Sequence, residues 1–305
     1  MDLFEMINSL YNHVYNKVES ECEIEEIKWN NIKMDDIKVE SKHTEIVNSV
    51  LDFINNGNFK PVRFQKLYNR FFIKCYTKVN FNLLLILEPY QSTKNINDMH
   101  SPVNMDSYMS YLLSPLVLNK ETKHIQLPIV NIDVDYEQIK HMLKSFSNFD
   151  KFNELIELEK INKKFNLKIR EHFFQTKTLK YYLTNHKCEC IFRPILFQLC
   201  HTLAIIQQKY PNFRHGNLKP SNIFMYVRND KNKIITYKYK DLVFYVPSPG
   251  FDIIISSFEY SSLVGEVKNS HDLPLKNDVN QYFDLYYFVN NLFGDQENNY
   301  LNFDK

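Results

Sequence analysis

Between residues 212 and 226 the chain reads NFRHGNLKPSNIFMY, and within it His215, Asn217, Lys219, Ser221 and Asn222 bring polar groups together in a single short loop. A long apolar run, CIFRPILFQLCHTLAIIQQKY (190–210), leads into that loop, and strand-like sequence follows it. Residues 215–222 offer one cation and two side-chain amides but no carboxylate. Asn217, centrally placed, has an amide head with no useful basicity, and half of that head is a donor. Lys74 in FFIK and Asp284 in QYFDLYYFVNNLF are charges set in apolar surroundings. An unpaired carboxylate buried in such a helix would be costly, so Asp284 requires partners. The glycines narrow the chemistry further. Only Gly57, Gly216, Gly250, Gly265 and Gly294 occur, widely spaced, so neither a Walker loop nor a GxGxxG turn is present to close backbone N–H groups on a phosphate. The run HKCEC (His186, Cys188, Cys190) lacks a second ligand pair, and no metal is expected there.

The loop resembles the catalytic loop of protein kinases, H-R-D-L-x-x-x-N, with His215, Leu218, Lys219 and Asn222 at the family spacing after a long apolar helix and before a β-hairpin. KYPNFRHGNLKPSNIF resembles the kinases of large nucleocytoplasmic DNA viruses. The insertion KIITYKYKDLVFY followed by SFEYSSLVG is closest in pattern to the poxvirus virion-assembly serine/threonine kinase. The resemblance is strong over 177–293, weak over 58–130 and absent over 1–55. It implies an α+β, bilobal protein-kinase-like fold. It further implies that His215 packs under the loop as scaffold and that Asp284 accepts backbone N–H groups of the loop. Lys74 falls where the third-strand lysine belongs and Asp106 near the C-helix glutamate. With Lys219 and Asn222 they would form a vestigial nucleotide site.

Departures from the family pattern decide the functional expectation. Where the family has its loop aspartate, this chain has Asn217, which cannot orient a substrate hydroxyl as a carboxylate does. Where D-F-G would begin, Ser257 opens S-F-E, and a neutral hydroxyl is a poor replacement for a hard anionic magnesium ligand. NFKPVRFQKLYNR, before Lys74, has bulky and charged residues in place of a glycine cradle. Losing base, metal ligand and cradle together points to a pseudokinase, with no intact catalytic residue, no bound cofactor and no metal. The alternative is an atypical serine/threonine kinase or nucleotide-binding enzyme using ATP and magnesium through altered ligands. A register slip bringing Asp252 or Glu259 to the metal position is its best route. As an inactive viral pseudokinase the chain would act as a scaffold or allosteric partner, of an active viral kinase or in virion assembly. Its partner would be that kinase or a second copy, and its location the host cytoplasm or the virion.

Composition and the surrounding elements agree with a globular domain. The 305 residues are 44% hydrophobic and 24% charged, and Lys+Arg 37 against Asp+Glu 36 gives a net charge of +1, with no basic patch that would mark a nucleic-acid binder. No apolar stretch is long enough to span a membrane, and five scattered cysteines suit a reducing compartment. Residues 1–55 read as an amphipathic helical extension, 56–175 as a kinase-like N-lobe with a helical insertion at 135–163, and 176–305 as a short C-lobe. RFFIKCYTKV and FNLLLILEPY read as paired strands, and SPVNMDSYMSYLLSPLVL as a helix with a Ser-Pro start. A truncated C-lobe would leave Tyr286, Phe288, Val289 and Leu292 as anchors for a partner.

Overall fold

The computed structural model describes residues 48, 51–52, 59–67, 70–77, 82–90, 96, 98, 100–144, 163–172, 176–185, 191–228, 230–231, 233–263, 267 and 281–293. The chain divides into two compact units, one built from Met1–Lys94 and Ile129–Glu171, the other from Asn95–Pro128 and His172–Lys305. Of the expected N-terminal helix, only residues 48 and 51–52 are described, and they are helical. The rest of that expectation, and the HKCEC run, lie outside the described residues.

The first unit is a five-stranded sheet. Its strands are β1 (Phe59–Leu67), β2 (Arg70–Thr77), β3 (Asn82–Pro89), β4 (Pro128–Asp135) and β5 (Lys164–Glu171), in the order β1-β2-β3-β5-β4. The expected pairing of β2 with β3 is found, antiparallel, with Lys74 opposite Leu84. Period-2 alternation sends Phe71, Ile73, Leu83, Leu85, Leu87, Phe165, Leu167 and Ile169 into one apolar cluster, joined by Tyr136, Ile139 and Leu143. Those last three residues belong to helix α2 (Tyr136–Lys144), the described part of the expected insertion.

The second unit is mostly helical. Helix α1 (Pro102–Leu118) begins as its sequence predicts, with the Ser101 hydroxyl accepting the Asn104 N–H and Pro102 in the first turn. It is followed in the chain by α3 (Leu179–Asn185), α4 (Phe192–Lys209) and α5 (Phe283–Phe293), with three small sheets between. β8 (Ile223–Val227) is flanked by β11 (Phe251–Ile255) and β6 (Lys177–Thr178). β7 (Phe213–Arg214) pairs with β12 (Ser262–Leu263), and β9 (Ile234–Tyr239) with β10 (Leu242–Pro247) as a separate hairpin. Met105, Met109 and Leu113 of α1 share a core with Ile195, Leu199 and Ile206 of α4, with Phe258, and with Phe288 and Leu292 of α5.

Three expectations are corrected here. The 56–175 lobe is not continuous, because residues 95–128 fold with the second unit, where α1 buries its methionine and leucine stripe. Among the described strands Lys74 falls on the second, not the third. The run read as a degenerate loop is itself strand β1, so Lys74 stands on β2 and the third strand carries Glu88. Phe288 and Leu292 are not available as anchors, being fully buried in their own unit, whereas Tyr286 is exposed.

The sheet also contains an ionic group that sequence reading passed over. Glu88 is buried, with Lys168 Nζ 3.0 Å from one carboxylate oxygen and Arg70 Nε 2.7 Å from the other. Lys168 itself is fully buried. Its signal was a charge at alternate positions of an otherwise apolar strand, Lys168 and Arg170 facing away from Leu167 and Ile169.

Candidate functional site

The loop following α4 is built on one carboxylate. Asp284, in the first turn of α5 and 1% exposed, accepts the His215 N–H at Oδ2 (2.8 Å) and the Gly216 N–H at Oδ1 (3.0 Å). Gly216 has φ of 73°, a left-handed conformation in which a side chain would be strained, so glycine suits this turn. Burial raises the Asp284 carboxyl pKa, while the two N–H donors and the neighbouring His215 and Arg214 oppose that rise.

His215 lies beneath the loop. Its Nε2–H donates to the Ser256 carbonyl (3.1 Å), which leaves Nδ1 as an acceptor facing the Asn217 N–H at 3.4 Å. The ring packs on Phe258 with centroids 5.1 Å apart, and burial holds its pKa below the ordinary imidazole value. From the other side the Ser261 hydroxyl donates to the His215 carbonyl. The residue is therefore a two-ended brace between the loop and the segment after β11.

Asn222 closes the loop from its far end, within the 3-10 turn Pro220–Asn222. Its Nδ2–H donates to the Asn217 carbonyl (2.8 Å), and its own carbonyl accepts both the N–H and the hydroxyl of Ser256. Asp106 of α1 is also buried and accepts the Phe258 N–H at 2.9 Å, fixing the S-F-E segment. Between these anchors Ser257 is half-buried with φ of 70°, a left-handed conformation that costs a non-glycine residue on the order of 1 kcal/mol. Asn217 and Lys219 are half-buried on the loop.

The structure thus joins Asp106, His215, Asn217, Asn222 and Asp284 through hydrogen bonds that run by way of Ser256, Phe258 and Ser261 in the second unit, with Lys219 on the same loop, whereas Lys74 belongs to the first unit. Asp252 is held by two cations. It sits within β11, with Arg228 Nη1 at 2.7 Å and Lys123 Nζ at 2.8 Å. Of the carboxylates near the loop, Asp106 and Asp284 accept backbone N–H groups, and Glu259, within S-F-E itself, is buried and lies close enough to His215 to favour its charged form. Among the described residues no cluster of three or more His, Cys, Asp or Glu side chains could hold a metal ion. Sequence reading missed Gln198 of α4. Its amide clamps β11 by donating to the Phe251 carbonyl (3.1 Å) and accepting the Ile253 N–H (2.8 Å). A lone glutamine in an apolar helical stripe was its only signal.

The strand order of the first unit and the braced loop of the second give an α+β, protein-kinase-like fold. Three mimivirus proteins are similar to the chain in sequence. The chain is 25% identical over 306 residues to the uncharacterized protein R402 of Acanthamoeba polyphaga mimivirus, an alignment covering 99% of this chain and 35% of that protein. It is 28% identical over 244 residues to the putative serine/threonine-protein kinase R400 of the same virus, covering 72% and 52%. A third mimivirus protein, the putative serine/threonine-protein kinase R301, is 37% identical over 103 residues, covering 30% and 26%. The chain therefore spans between about a quarter and a half of the length of these relatives. No protein-family model matches it. Among solved structures, a kinase domain superposes with a TM-score of 0.42 and 12% identity over 70% of this chain and 54% of that one. WaaP in complex with acyl carrier protein gives 0.39 and 8%, over 79% and 74%.

Proposed function

We propose that this kinase-like chain is a catalytically inactive pseudokinase that works through protein contacts, as a scaffold or allosteric partner of an active viral kinase or in virion assembly. The observation that carries the reading is a division of labour within the loop. Residues that brace it, His215, Asn222, Asp284 and Asp106, are retained and hydrogen-bonded. The positions that would handle a proton and a metal hold the neutral side chains of Asn217 and Ser257. Phosphoryl transfer depends on positioning and on charge placed against the transferring group, and a missing general base alone costs about 10²–10⁴ in rate. Host cytoplasm or the virion is the location this role requires.

The expected result is no transfer of phosphate from Mg-ATP to a generic protein acceptor by the purified chain, and no magnesium-dependent thermal shift. A ligand at 100 times its Kd would add about 2.7 kcal/mol and would be plain in such an assay. The Asn217→Asp/Ser257→Asp variant should stay inactive, because the loop carboxylates would be restored without a phosphate cradle. Transfer that Lys219→Ala abolishes would overturn the reading. It would favour instead an atypical serine/threonine kinase, the activity that the names of R400 and R301 give to those relatives.

A further inference from the structure

The β9–β10 hairpin makes no ladder with any other described strand. Its outer side is open to solvent, with Ile234 61% exposed and Tyr245 71%. Its inner side rests on aromatic rings. Tyr237 meets Phe197 and His201 of α4 edge-on, at 5.1 and 5.0 Å between centroids, and Phe244 meets Phe197 at 5.8 Å. Two imidazoles complete the seat. His201 Nε2–H donates to the Lys238 carbonyl (2.9 Å), directly tying α4 to β9. His124 donates Nδ1–H to the Ile253 carbonyl of β11 (2.9 Å), so its bare Nε2 accepts the Tyr237 hydroxyl (3.3 Å), and the two rings stack.

Both imidazoles sit in this seat as neutral rings, for different reasons. His201 Nδ1 is buried and has no hydrogen-bond partner, so a second proton would place a charged N–H where nothing accepts it. On His124 a second proton would make the Tyr237 hydroxyl turn from donating to accepting, so there it is burial that opposes the charge. The charged groups nearby do not all act in one direction. Asp252 of β11 favours a charged His124, whereas Lys123 and the other imidazole oppose it, and Arg228 and Asp230 act on Tyr237. Burial prevails. It pushes His124 down to about 4 and His201 below its ordinary value. Docking is therefore favoured in full above the ordinary imidazole pKa of about 6.5 and weakens as pH falls from there toward the depressed values.

We infer that the β9–β10 hairpin is an acid-released latch: it stays docked on α4 while His201 and His124 are neutral and lifts when they take up protons, baring the buried Tyr237 and the covered side of Phe197. Hydrogen exchange of the full chain at pH 7.5 and 5.0, corrected for intrinsic rates, tests this. Protection of the amides of 234–247 should fall at least tenfold while α4 keeps its protection. In His124→Asn/His201→Gln, whose amides retain the donors without titrating, the fall should disappear. Hairpin protection that does not change with pH, that falls together with α4, or that falls equally in the double variant would overturn the proposal. Should the double variant fail to fold, imidazole NMR of the native chain decides. Ring protonation coincident with hairpin opening supports the latch, and opening with both rings neutral, or protonation without opening, refutes it.

Discussion

Replacing Asp284 by alanine is expected to destabilise the second unit by about 2–6 kcal/mol, because two buried backbone N–H groups, of His215 and Gly216, lose their acceptor and each unsatisfied donor costs about 1–3 kcal/mol. That is a large part of the roughly 5–15 kcal/mol that keeps a typical domain folded. Asp284→Asn should cost less. One amide oxygen still accepts, although the amide N–H₂ then faces the other donor. Urea denaturation should show a lower midpoint with an unchanged slope for the second unit. A loss under about 1 kcal/mol for the alanine variant would mean that water or a rearranged loop satisfies those N–H groups, and Asp284 would not be the loop's foundation. This prediction does not depend on whether the chain has any activity, since the carboxylate acts on the fold.

The second large effect belongs to the first unit. Lys168→Ala should cost about 3–5 kcal/mol, the usual result of removing one member of a buried ion pair and leaving the other in a dry site. Arg70 stays against the opposite oxygen of Glu88, but it is partly exposed and holds that carboxylate from the rim. Charge, not volume, is the origin of the expected loss. A Glu88→Leu/Lys168→Met double variant, which removes both charges and keeps apolar bulk, should therefore lie within about 1.5 kcal/mol of the native chain. A double-mutant cycle on Glu88 and Lys168 reads the coupling directly. If the double variant is as damaged as Lys168→Ala, packing around the lysine stem would be the cause.

Local sequence patterns were sufficient for several elements. The 3.6-residue stripes of α1, α4 and α5 and the apolar runs of β2 and β3 show in the sequence, since burial of one face imposes a period that composition cannot hide. β1 escaped notice because Pro61, Arg63, Gln65 and Lys66 break its alternation. Its pairing with β2, irregular between Pro61 and Arg63, is a long-range choice. The same miscount placed Lys74 one strand too late.

The sequence by itself determined the neutral side chains of Asn217 and Ser257, the spacing of His215, Lys219 and Asn222, and the helix that carries Asp284. These are covalent facts or short-range patterns, and they were enough to indicate a kinase-like loop whose base and metal positions are uncharged. Only the tertiary structure decided which atoms those residues use. It directed Asp284 to two N–H groups 68 and 69 residues away in the chain, Asp106 to Phe258 across 152, and Lys168 to Glu88 across 80. It also seated the hairpin on His124 and His201. A buried polar group must find a partner, but sequence does not say which distant segment will bring one, because that depends on how apolar faces of separate elements close on one another.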